Sequence, residues 1–183
     1  MKNTYPRTID NGHGESLTFV KFVNNNNGGA IEIENKVQPG AGPPMHVHHL
    51  QDESLTVVQG KLAGQIAGQQ PTFHGPGETV TFKRGEVHRF WNAGNDILIC
   101  TGTATPAHNL EYFLTEIYRS VKSSGSMKPT LLDGAYLLTK YKSEFDMVEI
   151  PSFVKKVVFP LAFSIGKITG YHRRFRDAPQ PAK

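Results

Sequence analysis

The sequence predicts a mainly β fold, a small barrel of short strands, followed by a helical extension. Three observations point there. From about residue 15 to residue 105, apolar side chains recur with period two in short runs cut by glycine. Beyond Thr105 the spacing lengthens to that of helices. The 18 glycines, 12 prolines and 38% hydrophobic share suit a turn-rich β protein better than a helical bundle. A chain of 183 residues is long enough to bury a real core. Residues 1–105 are read as the barrel and 106–183 as the extension.

The elements follow in order. Residues 16–23 (SLTFVKFV) and 30–37 (AIEIENKV) alternate as strands with one buried face. Between them, Asn24-Asn-Asn-Asn-Gly-Gly joins the two residue types that tolerate positive φ, so a turn is expected. Further strands are expected at 53–59, 61–67, 78–82, 87–91 and 96–102, a spacing typical of sandwiches and barrels. Leu110, Phe113, Leu114, Ile117 and Val121 then fall at helical intervals behind Pro106. Ser123-Ser-Gly-Ser reads as a flexible joint. Leu131, Leu132, Ala135 and Leu138 form a second amphipathic stretch from about Pro129, despite Gly134. A third runs from Pro151 to about Ile168, kinked at Pro160 and stopped by Gly170. Its Val154, Val157, Val158, Leu161, Phe163, Ile165 and Ile168 are expected to pack on the barrel wall or a second protomer.

Composition narrows the function classes. With Cys100 as the only cysteine there is no intrachain disulfide, and a reducing cytoplasm is the expected compartment. Its place in the apolar run ILICT marks a buried thiol. The N-terminus has no apolar segment resembling a secretory signal. The most apolar stretch, residues 157–168, falls short of the ~20 residues a membrane span needs. The net charge of +4 is uneven: residues 1–104 hold 8 basic and 9 acidic side chains, residues 105–183 hold 12 and 7. Arg173, Arg174 and Arg176 are read as solvated partners of a helix C-terminus, so neither nucleic acid nor membrane is an expected partner.

Two segments carry the chemistry. The first is Gly40-x5-His46-x-His48-x4-Glu53-x6-Gly60; the second is Gly77-x5-Lys83-x-Gly85-x2-His88-x3-Asn92. His46 and His48, two apart on a strand, face the same way. Glu53 is an odd offset from His48, so a tight turn through residues 49–52 must bring it to the next strand for it to face the same interior. His88 comes from another strand. Three imidazoles and one carboxylate suit a divalent first-row ion, and four protein ligands leave positions open for catalysis.

In these residues the chain resembles the cupin superfamily. The first motif is matched throughout; in the second, Lys83 stands where the family pattern has proline. The 16 residues between the motifs resemble the short spacer of small microbial single-domain cupins. The resemblance implies a cupin-type β-barrel (double-stranded β-helix, or jelly roll) over about residues 15–105. It implies His46, His48, Glu53 and His88 as ligands of one Fe, Mn, Ni, Cu or Zn ion, and a homodimer. Met45, Phe82 and Phe90 are candidates for the substrate pocket, with core packing as the competing role. Asn92 is read as shaping the turn that follows, and His49 and His74 as exposed loop residues.

The cupin barrel hosts unrelated activities. The leading expectation is a dioxygenase-like oxidoreductase acting on a small organic substrate, as in the quercetinase-like members, with Glu53 as ligand and catalytic base. The alternatives are a non-redox metal-dependent isomerase, lyase or hydrolase, and a non-enzymatic small-molecule binder.

Overall fold

Two antiparallel sheets face each other in the computed structural model, which describes residues 4–25 and 27–182. In chain order the strands are β1 (Arg7–Asp10), β2 (Glu15–Val23), β3 (Ala30–Val37), β4 (His46–His48), β5 (Asp52–Gln59) and β6 (Leu62–Ile66). They continue with β7 (Thr72–His74), β8 (Thr79–Phe82), β9 (Val87–Asn92) and β10 (Leu98–Thr105). The last, β11 (Phe145–Met147), comes from the C-terminal part. One sheet has the order β1-β2-β3-β10-β5-β8, the other β11-β4-β9-β6-β7. This is the jelly-roll arrangement.

The period-two pattern fills the interior. Leu17 and Phe19 of β2, Ile31, Ile33 and Val37 of β3, Leu55 and Val57 of β5, and Leu98 and Cys100 of β10 are buried together. Burial pushes the Cys100 thiol up to about 12, so it stays protonated. The alternation expected across 16–23 fails at its end. A register shift between Phe19 and Lys21 leaves Val20, Phe22 and Val23 exposed. In the turn that follows, Asn25 Oδ1 accepts bonds from the backbone N–H groups of Asn27 and Gly29. Asn26 of that turn and the first three residues of the chain lie outside the described residues.

Helix α1 (Leu110–Ser124) lies between the free edges of the two sheets. On one flank its Glu111 accepts from Tyr5 Oη at 2.6 Å and pairs with Arg7 of β1 at 2.7 Å, and Lys122 meets Asp10 at 3.1 Å. On the other flank Phe113 stacks on Phe145 of β11 at 4.4 Å. The expected flexible joint is instead ordered by hydrogen bonds. Ser123 and Ser124 finish α1, and Ser124 Oγ donates to Lys128 O at 2.6 Å. Thr130 caps α2 (Leu131–Lys140) by accepting from Asp133 N.

The C-terminal part is not only helical: β11 adds a strand to the sheet that carries His46 and His48. Just before it, Glu144 is fully buried. Its carboxylate accepts from Asn109 Nδ2 (2.6 Å), Asn109 N (3.2 Å), Ala182 N (2.9 Å) and Gln51 Nε2 (3.4 Å). One side chain thus ties the β4–β5 turn, the start of α1 and the C-terminal segment together. Before Pro160, where a kink was expected, a π-helical turn over Val154–Val158 runs into α3 (Phe159–Ile168). Phe159 N bonds to Val154 O, five residues back, a wider register in the turn preceding the proline.

Candidate metal centre

His46 and His48 sit on β4, and His88 is the direct cross-strand partner of His46 on β9. Glu53 opens β5 in the opposite sheet and faces them across the interior. The expected turn is present: β4 ends at His48, β5 starts at Asp52, and the turn is held by His49 N donating to Glu144 O at 2.8 Å. One donor atom from each of the four side chains lies within 4.8 Å of the others. The ring centroids are 4.9 Å apart for His46 and His48, 4.5 Å for His46 and His88, and 5.5 Å for His48 and His88. His48, Glu53 and His88 are buried, whereas His46 is partly accessible.

Local hydrogen bonds orient the rings. His46 Nδ1 lies 2.8 Å from Pro44 O, and His88 Nδ1 lies 2.8 Å from Glu86 O. A proton on His46 Nδ1 leaves its Nε2 lone pair free, whereas His88 has an acceptor at each ring nitrogen. His88 Nε2 is 3.2 Å from Glu53 Oε2. His48 Nδ1 is buried without a hydrogen-bond partner among the described residues. Enclosure lowers His46 to about 4, helped by repulsion from His88, and lowers His48 to about 3. Burial opposes ionisation of Glu53, but the bond to His88 and the three rings outweigh it and hold the carboxyl well below its ordinary range. His46 and His48, kept neutral by burial, fit a divalent ion together with the His88 ring and an ionised carboxylate. The four residues form a candidate metal-binding cluster.

The turn from β8 to β9 places His88. Gly85 adopts φ 82°, as the third residue of a type II turn requires, and its N–H donates to His48 O at 2.8 Å. Lys83 N donates to Glu86 Oε2 at 2.7 Å, a bond the family's proline could not make. The departure at position 83 therefore exchanges ring rigidity for a side-chain tie in the same turn.

Phe82, the cross-strand neighbour of Glu53, stacks on His88 at 4.2 Å and 9° and forms a wall of the cluster. Phe90 lies in the barrel core, on the face of β9 that carries His88. Met45 is half-buried, and its carbonyl accepts from Val148 N at 3.2 Å. Asn92 shapes the following turn through Gly94 N–H, and its Nδ2 reaches Val37 O and Asp96 O. His49 is exposed in the turn after β4. His74 is not in a loop: it ends β7 and bonds to Thr72.

Two further groups near the cluster were not anticipated. Glu15 of β2 is buried and bonded to Asn11 Nδ2 at 3.0 Å; burial, with a contribution from Glu53, pushes it up to about 7. Tyr118 of α1 is raised by burial and by the charges of Glu15 and Glu53, so its hydroxyl stays protonated. The signals were there: Glu15 shares parity with Leu17 and Phe19, and Tyr118 falls on the helix face of Leu114 and Val121. The raised Glu15 binds its proton more tightly folded than unfolded. Its contribution to stability is complete below about 4.5 and is lost as pH rises through 7. Glu15→Gln keeps an acceptor for Asn11 and removes the titration. Its stability relative to the parent should rise between pH 4.5 and 8 by on the order of 2 kcal/mol, read from urea unfolding at both ends.

Residues 34–101 match the family model of the cupin domain. Over that segment the chain carries a cupin domain. Over 91 residues, half of the chain, it is 29% identical to the epoxidase atD of Aspergillus terreus, a match that spans 24% of that protein's length. Solved structures include an uncharacterised protein with a double-stranded β-helix domain from Klebsiella pneumoniae, 20% identical, with a TM-score of 0.44 over 58% of this chain and 78% of that one. KdgF from Halomonas sp. is 19% identical, with a TM-score of 0.45 over 54% and 86%.

Proposed function

We propose that this cupin is a metal-dependent oxidoreductase of the dioxygenase type, acting on a small organic substrate. The observation that carries the reading is the set of three histidines and one glutamate within 4.8 Å, inside the barrel and beside the accessible edge of His46. His46, His48, Glu53 and His88 would hold a divalent first-row ion, which supplies dioxygen activation and polarisation of a substrate oxygen. Glu53, held ionised, serves as ligand and as base toward a substrate proton. Phe82 fixes the plane of His88 and presents an apolar wall. Tyr118 offers an O–H, not a phenolate, within electrostatic reach of Glu53. The matched relative's name, epoxidase, accords with oxidative chemistry.

The test is oxygen consumption with flavonol, catechol and β-diketone substrates after loading with Fe, Ni, Mn or Cu. The reading expects substrate-dependent uptake that disappears in a His46→Ala/His88→Ala variant. Turnover under anaerobic conditions, with a flat oxygen trace for every metal and substrate, would replace it with isomerase, lyase or hydrolase chemistry.

A further inference from the structure

The last helix divides into two faces. Phe159, Ala162 and Gly166 are buried, and Phe159 and Ala162 pack with Ala135 of α2. The opposite face points to solvent, with Phe153 67%, Val157 41%, Leu161 60%, Ile165 54% and Ile168 85% exposed. Their spacing of four, four, four and three residues makes a continuous apolar stripe. The burial expected for this helix is therefore only half achieved within the chain.

Charge identifies what covers the stripe. From residue 151 to residue 176 there are six basic side chains and no acidic one. Lys155 is engaged by Asp146, Arg174 by Asp133, and Arg176 by Asp177. Lys156, Lys167 and Arg173 carry no ion pair among the described residues. A second copy of the chain on this face would bring two such cationic sets together without a compensating anion, at a repulsive cost. An anionic bilayer surface offers the complement to both features: acyl chains for the stripe and headgroup charge for the lysines and arginines. No helix among the described residues is long and apolar enough to cross a membrane, so the geometry is that of a helix lying in the interface.

We propose that the exposed face of α3, with Phe153 and Val157 before it, docks the protein onto anionic lipid bilayers. The inference does not depend on the oxidoreductase reading. It departs from the sequence-based expectation that no membrane is a partner, which weighed a membrane-spanning segment and the basic tail and not an exposed apolar stripe.

The full chain is sedimented with vesicles of phosphatidylcholine alone and of equal parts phosphatidylcholine and phosphatidylglycerol. Binding to the anionic vesicles should be at least roughly tenfold tighter and should weaken with added salt. Leu161→Glu/Ile165→Glu should abolish it, and Lys156→Glu/Lys167→Glu should reduce it. These side chains are exposed, so both variants should keep the parent's unfolding midpoint and metal content. Three outcomes overturn the proposal: no vesicle binding, anionic binding that survives Leu161→Glu/Ile165→Glu, or no vesicle binding together with a dimer in sedimentation velocity that this variant dissociates. The last would assign the face to a second copy.

Discussion

Replacing His46 and His88 together with alanine is expected to strip the protein of stoichiometric metal. The two rings face each other as cross-strand partners, 4.5 Å between centroids, and each has its Nδ1 anchored on a backbone carbonyl. Removing both leaves His48 and Glu53, a donor pair from opposite sheets that lacks the imidazoles that define the site. Loss of an outer-shell partner alone costs roughly 10–100-fold in metal affinity, and loss of two direct donors must exceed that. The fold should survive, because truncating both side chains leaves the backbone pairing of β4 with β9 intact. Elemental analysis alongside circular dichroism separates the effects. Metal retained in a folded double variant would exclude the assignment.

The second large effect is expected at Glu144, far from the motifs in sequence. Glu144→Ala leaves Gln51 Nε2, Asn109 N and Ala182 N without their acceptor, and Asn109 Nδ2 with Gln180 O alone. Orphaned buried donors cost about 1–3 kcal/mol each, discounted here because Asn109 and Ala182 are only partly buried. The expected destabilisation is about 3–5 kcal/mol, read from the urea midpoint. Glu144→Gln keeps the volume but turns one acceptor into a donor facing N–H groups, so it should fall between alanine and the parent. A loss below about 1 kcal/mol for Glu144→Ala would show that water replaces the carboxylate.

The cluster was legible in the sequence because its information is local. The offset of two between His46 and His48 and the turn before Glu53 follow from strand geometry alone. His88 was placed only through the motif that contains Gly85, since pairing across strands is tertiary information. The same limit explains Phe145–Met147: three residues with no period cannot announce a strand, and this one forms on β4. Glu144 gave no sign either, because its partners are separated from it by 35, 38 and 93 positions. In α3 the apolar count was read correctly as amphipathic. Which half faces inward depends on α2, and the remaining half was assigned a burial the chain does not provide.

The most direct measurement is metal analysis combined with X-ray absorption on the full chain, purified without a chelating tag and reconstituted with Fe, Mn, Ni, Cu or Zn in turn. One divalent first-row ion per chain is expected, with a nitrogen and oxygen shell carrying the outer scattering of imidazole rings. A chain that takes up none of these ions, or an ion whose shell contains sulfur, would contradict the assignment.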